Sequence, residues 1–318
     1  MIQRILFATD FSRWARRAED YACALACSWK ASLTVLSVAE FPPGLNPDYP
    51  VNQQYLAELL KTASSQLVDL KGRAERRGIA VTTRVATGIP SEEVIAAARA
   101  EDSDLIVVGT RGKTGLAHVL LGSTAERVIR GAPCPVLAMR TDPADNEDEG
   151  VLSRPVTLER ILVPVDFSAC SLDALEYAVV VAQQAKASLM LLHVLEPVSY
   201  GLDFTLGQSK ARHAEFETWT KRLEELASSH QRPDLSVEFR LRGGLPSDSI
   251  LDSARTLPCD LIVMGTHGRR GISHTLSGSV AEAVLRKARC PVIAVRSPKF
   301  GPGHTQVLPT AMSPVTHP

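Results

Sequence analysis

Two glycine-rich segments carry the residue types and spacing in this chain best suited to holding a charged ligand. Gly109 and Gly112 are followed, after nine residues, by Gly122 and Ser123; Gly265 and Gly268 are followed, after nine, by Gly278 and Ser279. The pattern G-x2-G-x9-G-S thus occurs twice. Glycine at these points lets the main chain approach a ligand closely and turn its amide N–H groups into a crevice, where they can hold phosphate oxygens. Immediately afterwards Ser123-Thr124-Ala125-Glu126 and Ser279-Val280-Ala281-Glu282 fit the S-x-x-E capping box, which sets the positive end of a helix beside each loop. Ser123 and Ser279 are therefore read as caps, as phosphate contacts, or as both. Lys113, Arg269 and Arg270 lie within the segments, either to neutralise phosphate or as solvated loop charges. Neither segment is a Walker A loop, because the GK[ST] triplet is missing, and neither is the dinucleotide G-x-G-x-x-G, which would follow a first strand.

The elements that position these loops also come in two copies. Asp104 to Gly115 reads DLIVVGTRGKTG and Asp260 to Gly271 reads DLIVMGTHGRRG, with eight of twelve positions alike. The same offset relates Arg4-Ile5-Leu6 and Asp10-Phe11-Ser12 to Arg160-Ile161-Leu162 and Asp166-Phe167-Ser168, and Cys134-Pro135 to Cys290-Pro291. A constant offset with no net insertion means that each half carries one complete fold. In the first half the apolar, β-branched runs place strands at 4–9, 32–38, 79–86, 104–109 and 135–140; in the second they fall at 160–165, 188–194, 235–241, 260–265 and 291–296, with helical patterns between. Continuous apolar runs such as Leu105 to Val108 suit strands covered on both faces. The expected architecture is α/β: two tandem doubly wound domains, each a five-stranded parallel sheet in the order 3-2-1-4-5 with helices on both faces. In such a sheet the ligand crevice opens between strands 1 and 4, and both Asp10 and Asp166, at the end of strand 1, and the glycine segments, at the end of strand 4, fall there. Asp10 and Asp166 have a second reading as helix caps.

The domains are expected at 1–140 and 159–296. An acidic, Pro- and Gly-containing linker joins them at 141–158, and an aperiodic tail, expected to be disordered, follows from 297 to 318. The 35 basic and 35 acidic side chains cancel, so charge offers no attraction to nucleic acid or to an anionic membrane. No apolar run approaches the roughly 20 residues of a membrane span and the start does not read as a signal peptide, which points to the cytoplasm. Six cysteines occur without CxxC spacing, so neither zinc nor a thioredoxin-type motif is suggested and no metal ligand is assigned. Cys23 and Cys27, one helical turn apart, read as small buried thiols on a core-facing helix. His118 and His274 correspond between the halves, but no partner nucleophile or carboxylate accompanies them, and no catalytic residue is assigned.

RILFATDFS, DLIVVGTRGKTGLAHVLLGSTAERVI and APCPVLAM, in that order, resemble the universal stress protein family. The likeness covers residues 1–140 and 159–296 and is to the nucleotide-binding members, which carry G-x2-G-x9-G-[ST] after strand 4 and an Asp after strand 1. The resemblance implies one ATP site per domain, with Mg2+. Ala8, Asp10, Val38, Val108 and Gly109 would surround adenine and ribose, and Gly112, Gly122, Ser123 and Thr124 the phosphates. The counterparts in the second domain are Pro164, Asp166, Val194, Met264, Gly265, Gly268, Gly278, Ser279 and Val280. Ala8 is replaced by Pro164 and Thr124 by Val280, which lacks a hydroxyl, so the two sites are expected to differ in affinity. The family likeness also implies that the domains pair through their last strands, 135–140 against 291–296, so that each edge covers the other. Whether two chains associate into a homodimer is left open. The leading function is a non-enzymatic, adenine-nucleotide-binding regulator of the stress response. A slow ATPase is one alternative, lacking an obvious general base or arginine finger; a nucleotide-free protein-interaction scaffold is another.

Overall fold

A computed structural model of the chain describes residues 1–40, 49–110, 112, 121–140, 157–196, 206–267 and 279–296. The first half runs β1 (Arg4–Thr9), α1 (Arg16–Trp29), β2 (Ser32–Ala39), α2 (Pro50–Glu75), β3 (Val81–Thr87), α3 (Pro90–Ala100), β4 (Leu105–Gly109), α4 (Ser123–Gly131) and β5 (Val136–Met139). The second runs β6 (Arg160–Pro164), α5 (Ala169–Ala185), β7 (Ser188–Leu195), α6 (Leu206–His230), β8 (Val237–Gly243), α7 (Pro246–Thr256), β9 (Leu261–Gly265), α8 (Ser279–Lys287) and β10 (Val292–Val295). The strands form one sheet in the order β3-β2-β1-β4-β5-β10-β9-β6-β7-β8. Each half therefore has the expected order 3-2-1-4-5. All pairings within a half are parallel, whereas β5 and β10 run antiparallel with Leu137 opposite Ile293.

Strand alternation divides the core into two layers. Ile5 and Phe7 of β1, Leu105 and Val107 of β4 and Leu137 of β5 face the layer that also holds buried residues of α1, α2, α5 and α6. Leu6, Ile106, Val108 and Val136 face the opposite layer, with buried residues of α3, α4, α7 and α8. Each layer continues from one half into the other across the β5–β10 seam. Fully burying a side chain of this kind contributes about 1.5–3 kcal/mol, which is why strands buried on both faces read as unbroken apolar runs. Side chains also cross between the halves. Tyr177 of α5 donates to the Asp104 carbonyl at 3.1 Å, and Gln184 both accepts from Ile2 N–H and donates to its carbonyl, each at 2.9 Å.

Several expectations are corrected in detail. The third strand of each half starts and ends later than the apolar pattern suggests, at 81–87 and 237–243. Ile79 is instead tied to the end of α2 through its N–H on Ala74 O, while Leu235 bridges to Arg232. Cys27 is exposed, not buried: the buried stripe of α1 runs through Ala18, Ala22, Leu25, Ala26 and Trp29, and only Cys23 lies on it. Leu158, assigned to the solvated linker, is buried in the core. The rest of that linker to residue 156, the tail from 297, His118 and His274 lie outside the described residues.

Candidate functional site

In the first half, β1 and β4 pair over four residues, from Ile5↔Leu105 to Ala8↔Val108, and then diverge. Chain direction across the sheet reverses here, because β1 connects outward to β2 while β4 connects outward to β5. Asp10 follows β1 at this point. Its Oδ1 accepts from Ser12 N–H at 2.9 Å, and Thr9 Oγ1 accepts from Phe11 N–H at 3.0 Å. These two local bonds hold Phe11 in the left-handed region at φ 57°, an uncommon conformation for a bulky residue. The turn thereby fixes the direction of the Asp10 carboxylate.

The glycine segment comes back to that carboxylate. A Cβ on Gly112 would stand 2.8 Å from Asp10 Oδ2 and would force the carboxylate aside, so glycine here lets main chain and carboxylate meet. At the other end of the segment Gly122 N–H donates to Thr110 O at 2.7 Å, and Thr110 N–H donates to Met139 O at 2.9 Å, which ties the start of α4 to the ends of β4 and β5. Ala8, Val38 and Val108 lie on the same face of the sheet as α4, at the carboxyl ends of their strands. Val108 is buried, whereas Ala8 and Val38 are half-buried.

The capping-box reading of Ser123 is corrected. Gly122 is the N-cap of α4, in extended conformation at φ −72°, and no side chain of the described residues caps the helix. Ser123 and Thr124 are exposed residues of its first turn, and Glu126 pairs with Arg130 at 3.2 Å instead of reaching back. A helix whose first amides lack a side-chain acceptor presents donors and a partial positive charge to whatever lies in front of it.

Two further residues belong to the site although their sequence pattern does not single them out. Ser12 Oγ and Thr110 Oγ1 are buried without a hydrogen-bond partner among the described residues, one beside Asp10 and the other beside Gly109. A buried hydroxyl left unpaired costs about 1–3 kcal/mol, so such groups at a crevice are expected to have another partner.

The second half shares the frame but not the detail. Asp166 follows β6, and its Oδ1 accepts from Ser168 N–H at 3.0 Å and from Ser168 Oγ at 2.6 Å. Phe167 is left-handed at φ 61°, as Phe11 is. Ser168 caps α5 by accepting from Ser171 N–H, so α5 starts at Ala169, whereas α1 starts only at Arg16 after an uncapped turn. The β6–β9 ladder spans only two pairs, Ile161↔Leu261 and Leu162↔Ile262. Alternate amides of a strand point to opposite neighbours, and Val165 N–H donates to Leu192 O of β7. Position 164 would therefore donate towards β9, and proline has no N–H to give.

The gap so opened is occupied from the helix side. A Cβ on Gly265 would lie 2.9 Å from the carbonyl carbon, the carbonyl oxygen and Sγ of Cys170, whose thiol donates to Val295 O at 3.3 Å. Around the turn after β6, Phe167, His193 and Trp219 stack with ring centroids 4.7–5.4 Å apart, and the Arg222 guanidinium lies 4.4 Å from the Phe167 ring centre. Buried His193 meets Val165 O through Nδ1 at 2.6 Å. The first half has Ser37 where the second has His193, a difference visible by laying one half on the other. Pro164 and Met264 are buried and Val194 is half-buried. Ser279 is exposed at the start of α8, beside Val280, and Glu282 again pairs along the helix, with Arg286 at 2.6 Å. Gly268, Gly278, Lys113, Arg269 and Arg270 lie outside the described residues.

Two units with the strand order 3-2-1-4-5, each with an acidic residue after its first strand, define a protein of the doubly wound α/β type. The sequence model of the universal stress protein family matches residues 1–140 and again 157–296, and the chain belongs to that family as a tandem member. It is 27% identical over 301 residues to a universal stress protein of Mycolicibacterium smegmatis, covering 92% of this chain and 96% of the relative. A universal stress protein of Mycobacterium tuberculosis is 32% identical over 200 residues, 61% of this chain; the chain spans 62% of that relative's length. Among solved structures, a universal stress protein from Archaeoglobus fulgidus superposes with a TM-score of 0.66 over 92% of this chain and 97% of its own, at 23% identity, a likeness of fold.

Proposed function

We propose that each domain binds an adenine nucleotide, ATP with Mg2+, at the crevice between its first and fourth strands, and that occupancy regulates the protein in the stress response. The observation that carries this reading is the approach of Gly112 to Asp10 in front of the uncapped start of α4. In this reading Asp10 takes the ribose, with Ala8, Val38, Val108 and Gly109 around adenine and ribose. The phosphates lie along Gly112, Gly122, Ser123 and Thr124, and the buried hydroxyls of Ser12 and Thr110 find their partners in the bound ligand. Magnesium would supply charge neutralisation on the phosphate oxygens. Asp166 plays the ribose role in the second domain, with Pro164, Val194, Met264 and Gly265 around the base and Gly268, Gly278, Ser279 and Val280 at the phosphates. Binding to the native state alone also stabilises the fold by mass action.

The units doing this are residues 1–140 and 159–296, held together in solution through β5 and β10, with the chain acting in the cytoplasm. Among the described residues no helix is long and apolar enough to cross a membrane. Calorimetry with MgATP on the wild type and on the double variant Gly112→Val, Gly268→Val tests the proposal. Binding in the wild type and a loss of about tenfold or more in the variant, about 1.4 kcal/mol or more, is expected. Equal affinity in the two proteins would remove the glycine segments from the site.

A further inference from the structure

At the amino ends of β9 and β10 the second domain brings two thiols together. Cys259 precedes β9 and Cys290 precedes β10, its parallel neighbour. The register Ile262↔Val292, carried back two residues, sets Cys290 beside Asp260, one position from Cys259. At a strand spacing of about 4.8 Å and a rise of about 3.3 Å, that offset separates the two Cα atoms by about 6 Å. Disulfides span about 4.4–6.8 Å. Both side chains lie against the same hydrophobic layer and both are half-buried. The Cys259 thiol donates to Leu261 O at 3.2 Å, and Cys290 lies near enough to act on its titration. A groove of about 260 Å³ between α7 and α8 opens onto Cys290, with Arg255, Lys287, Arg289, Asp248 and Asp252 on its walls.

Their nearness makes the two sulfurs unequal. The neighbouring Cys290, with help from the Leu261 and Leu162 backbone, holds Cys259 below the usual thiol range despite its burial. The neighbouring Cys259 and burial push Cys290 up. Of two neighbouring sulfurs, the one held lower attacks and the other resolves. The first domain provides the contrast. It has Ser103 at the position of Cys259 and Cys134 at that of Cys290, and burial pushes the single Cys134 thiol up to about 12.

We propose that Cys259 and Cys290 form a redox-active dithiol, confined to the second domain, which a hydroperoxide oxidises to a disulfide that clamps the amino ends of β9 and β10. Cys259 thiolate attacks a peroxide oxygen; the S–O bond forms, the O–O bond breaks, and the departing hydroxide takes up the proton Cys259 had released, giving water. Cys290 Sγ then attacks the sulfenic sulfur and gives its proton to the departing oxygen. The S–S bond forms, the S–O bond breaks, and a second water leaves. Two thiols are oxidised by two electrons and one hydrogen peroxide is reduced to two waters.

The test is peptide mapping of the full chain after hydrogen peroxide treatment, alkylation of remaining thiols and trypsin digestion. Cleavage after Arg255, Arg269, Arg289 and Arg296 places Cys259 in peptide 256–269 and Cys290 in peptide 290–296. The expected product is these two peptides joined with the loss of two hydrogens in the larger part of the treated protein, separated again by dithiothreitol. Cys259→Ser, which installs the residue type the first domain carries, is expected to keep the wild-type circular dichroism and to leave Cys290 open to alkylation. If the two wild-type peptides emerge unlinked, whether alkylated separately or carrying sulfinic acid, the proposal is overturned.

Discussion

The two halves of this chain share a sheet order and a ligand motif, yet they spend the same residues differently at the crevice. Ser12 and Ser168 occupy corresponding positions after the acidic residue. Ser168 caps its helix and binds Asp166, whereas Ser12 Oγ is buried without a partner among the described residues. Where β1 and β4 stay paired for four residues, Pro164 ends the β6–β9 ladder after two, and α5 starts early enough for Cys170 to sit against Gly265. In the second half the turn is tied by Ser168 on Asp166 and buttressed by the packed rings of Phe167, His193 and Trp219. The first keeps polar groups in reserve. The two halves keep one frame while differing in which side chains hold the turn after the first strand.

The comparison can be broken most forcefully at Gly265. Ala at this position puts a Cβ against the Cys170 backbone, which cannot swing away as a side-chain tip would, so a loss of about 1–3 kcal/mol in denaturant unfolding is expected. A wild-type unfolding curve would mean that α5 is not seated as described. A smaller effect sharpens the contrast between the serines. Ser168→Ala removes an N-cap and should cost about 1 kcal/mol. Ser12→Ala removes an unpartnered hydroxyl and should leave stability within about 0.5 kcal/mol of wild type while weakening MgATP binding. Matching stability losses for the two would erase the distinction.

The smallest expected effect is at Asp20 of α1, where α5 carries the longer Glu176. Burial, and then Glu19, raise the Asp20 carboxyl from 3.8 to about 6. A carboxyl raised in the folded state favours folding when protonated, so its penalty is absent below about pH 4 and grows as the pH climbs through 6. Asp20→Asn should therefore raise the melting temperature at pH 7.5, by the equivalent of under about 1 kcal/mol at this half-exposed site, and leave it unchanged near pH 4. A gain at pH 4 instead would contradict the assigned direction.

The frame was legible in the residues because its signals are local and repeated. Unbroken apolar runs such as Leu105 to Val108 suit strands covered on both faces, and the constant offset repeated the signal. The family segments placed the crevice, and the glycine at 112 falls against Asp10 as the switch-point argument requires. What stayed hidden depends on where chain segments stop. Ser123 reads as a cap, but Gly122 takes that place because its N–H on Thr110 O starts α4 one residue sooner. The unpartnered state of Ser12 and Thr110 follows from packing across three elements, which no spacing encodes. The nearness of Cys259 to Cys290 likewise arises from strand register between residues far apart in the chain.

The central claim is that main-chain amides of the glycine segments hold a polyphosphate in each crevice, on unequal terms. Titrating the full chain with MgATP, then the single variants Gly112→Val and Gly268→Val, tests it directly. Two binding events of different affinity are expected in the wild type, with each variant losing one and keeping the other. Variant isotherms that superpose on the wild type, or a wild type that takes up no nucleotide, would contradict it.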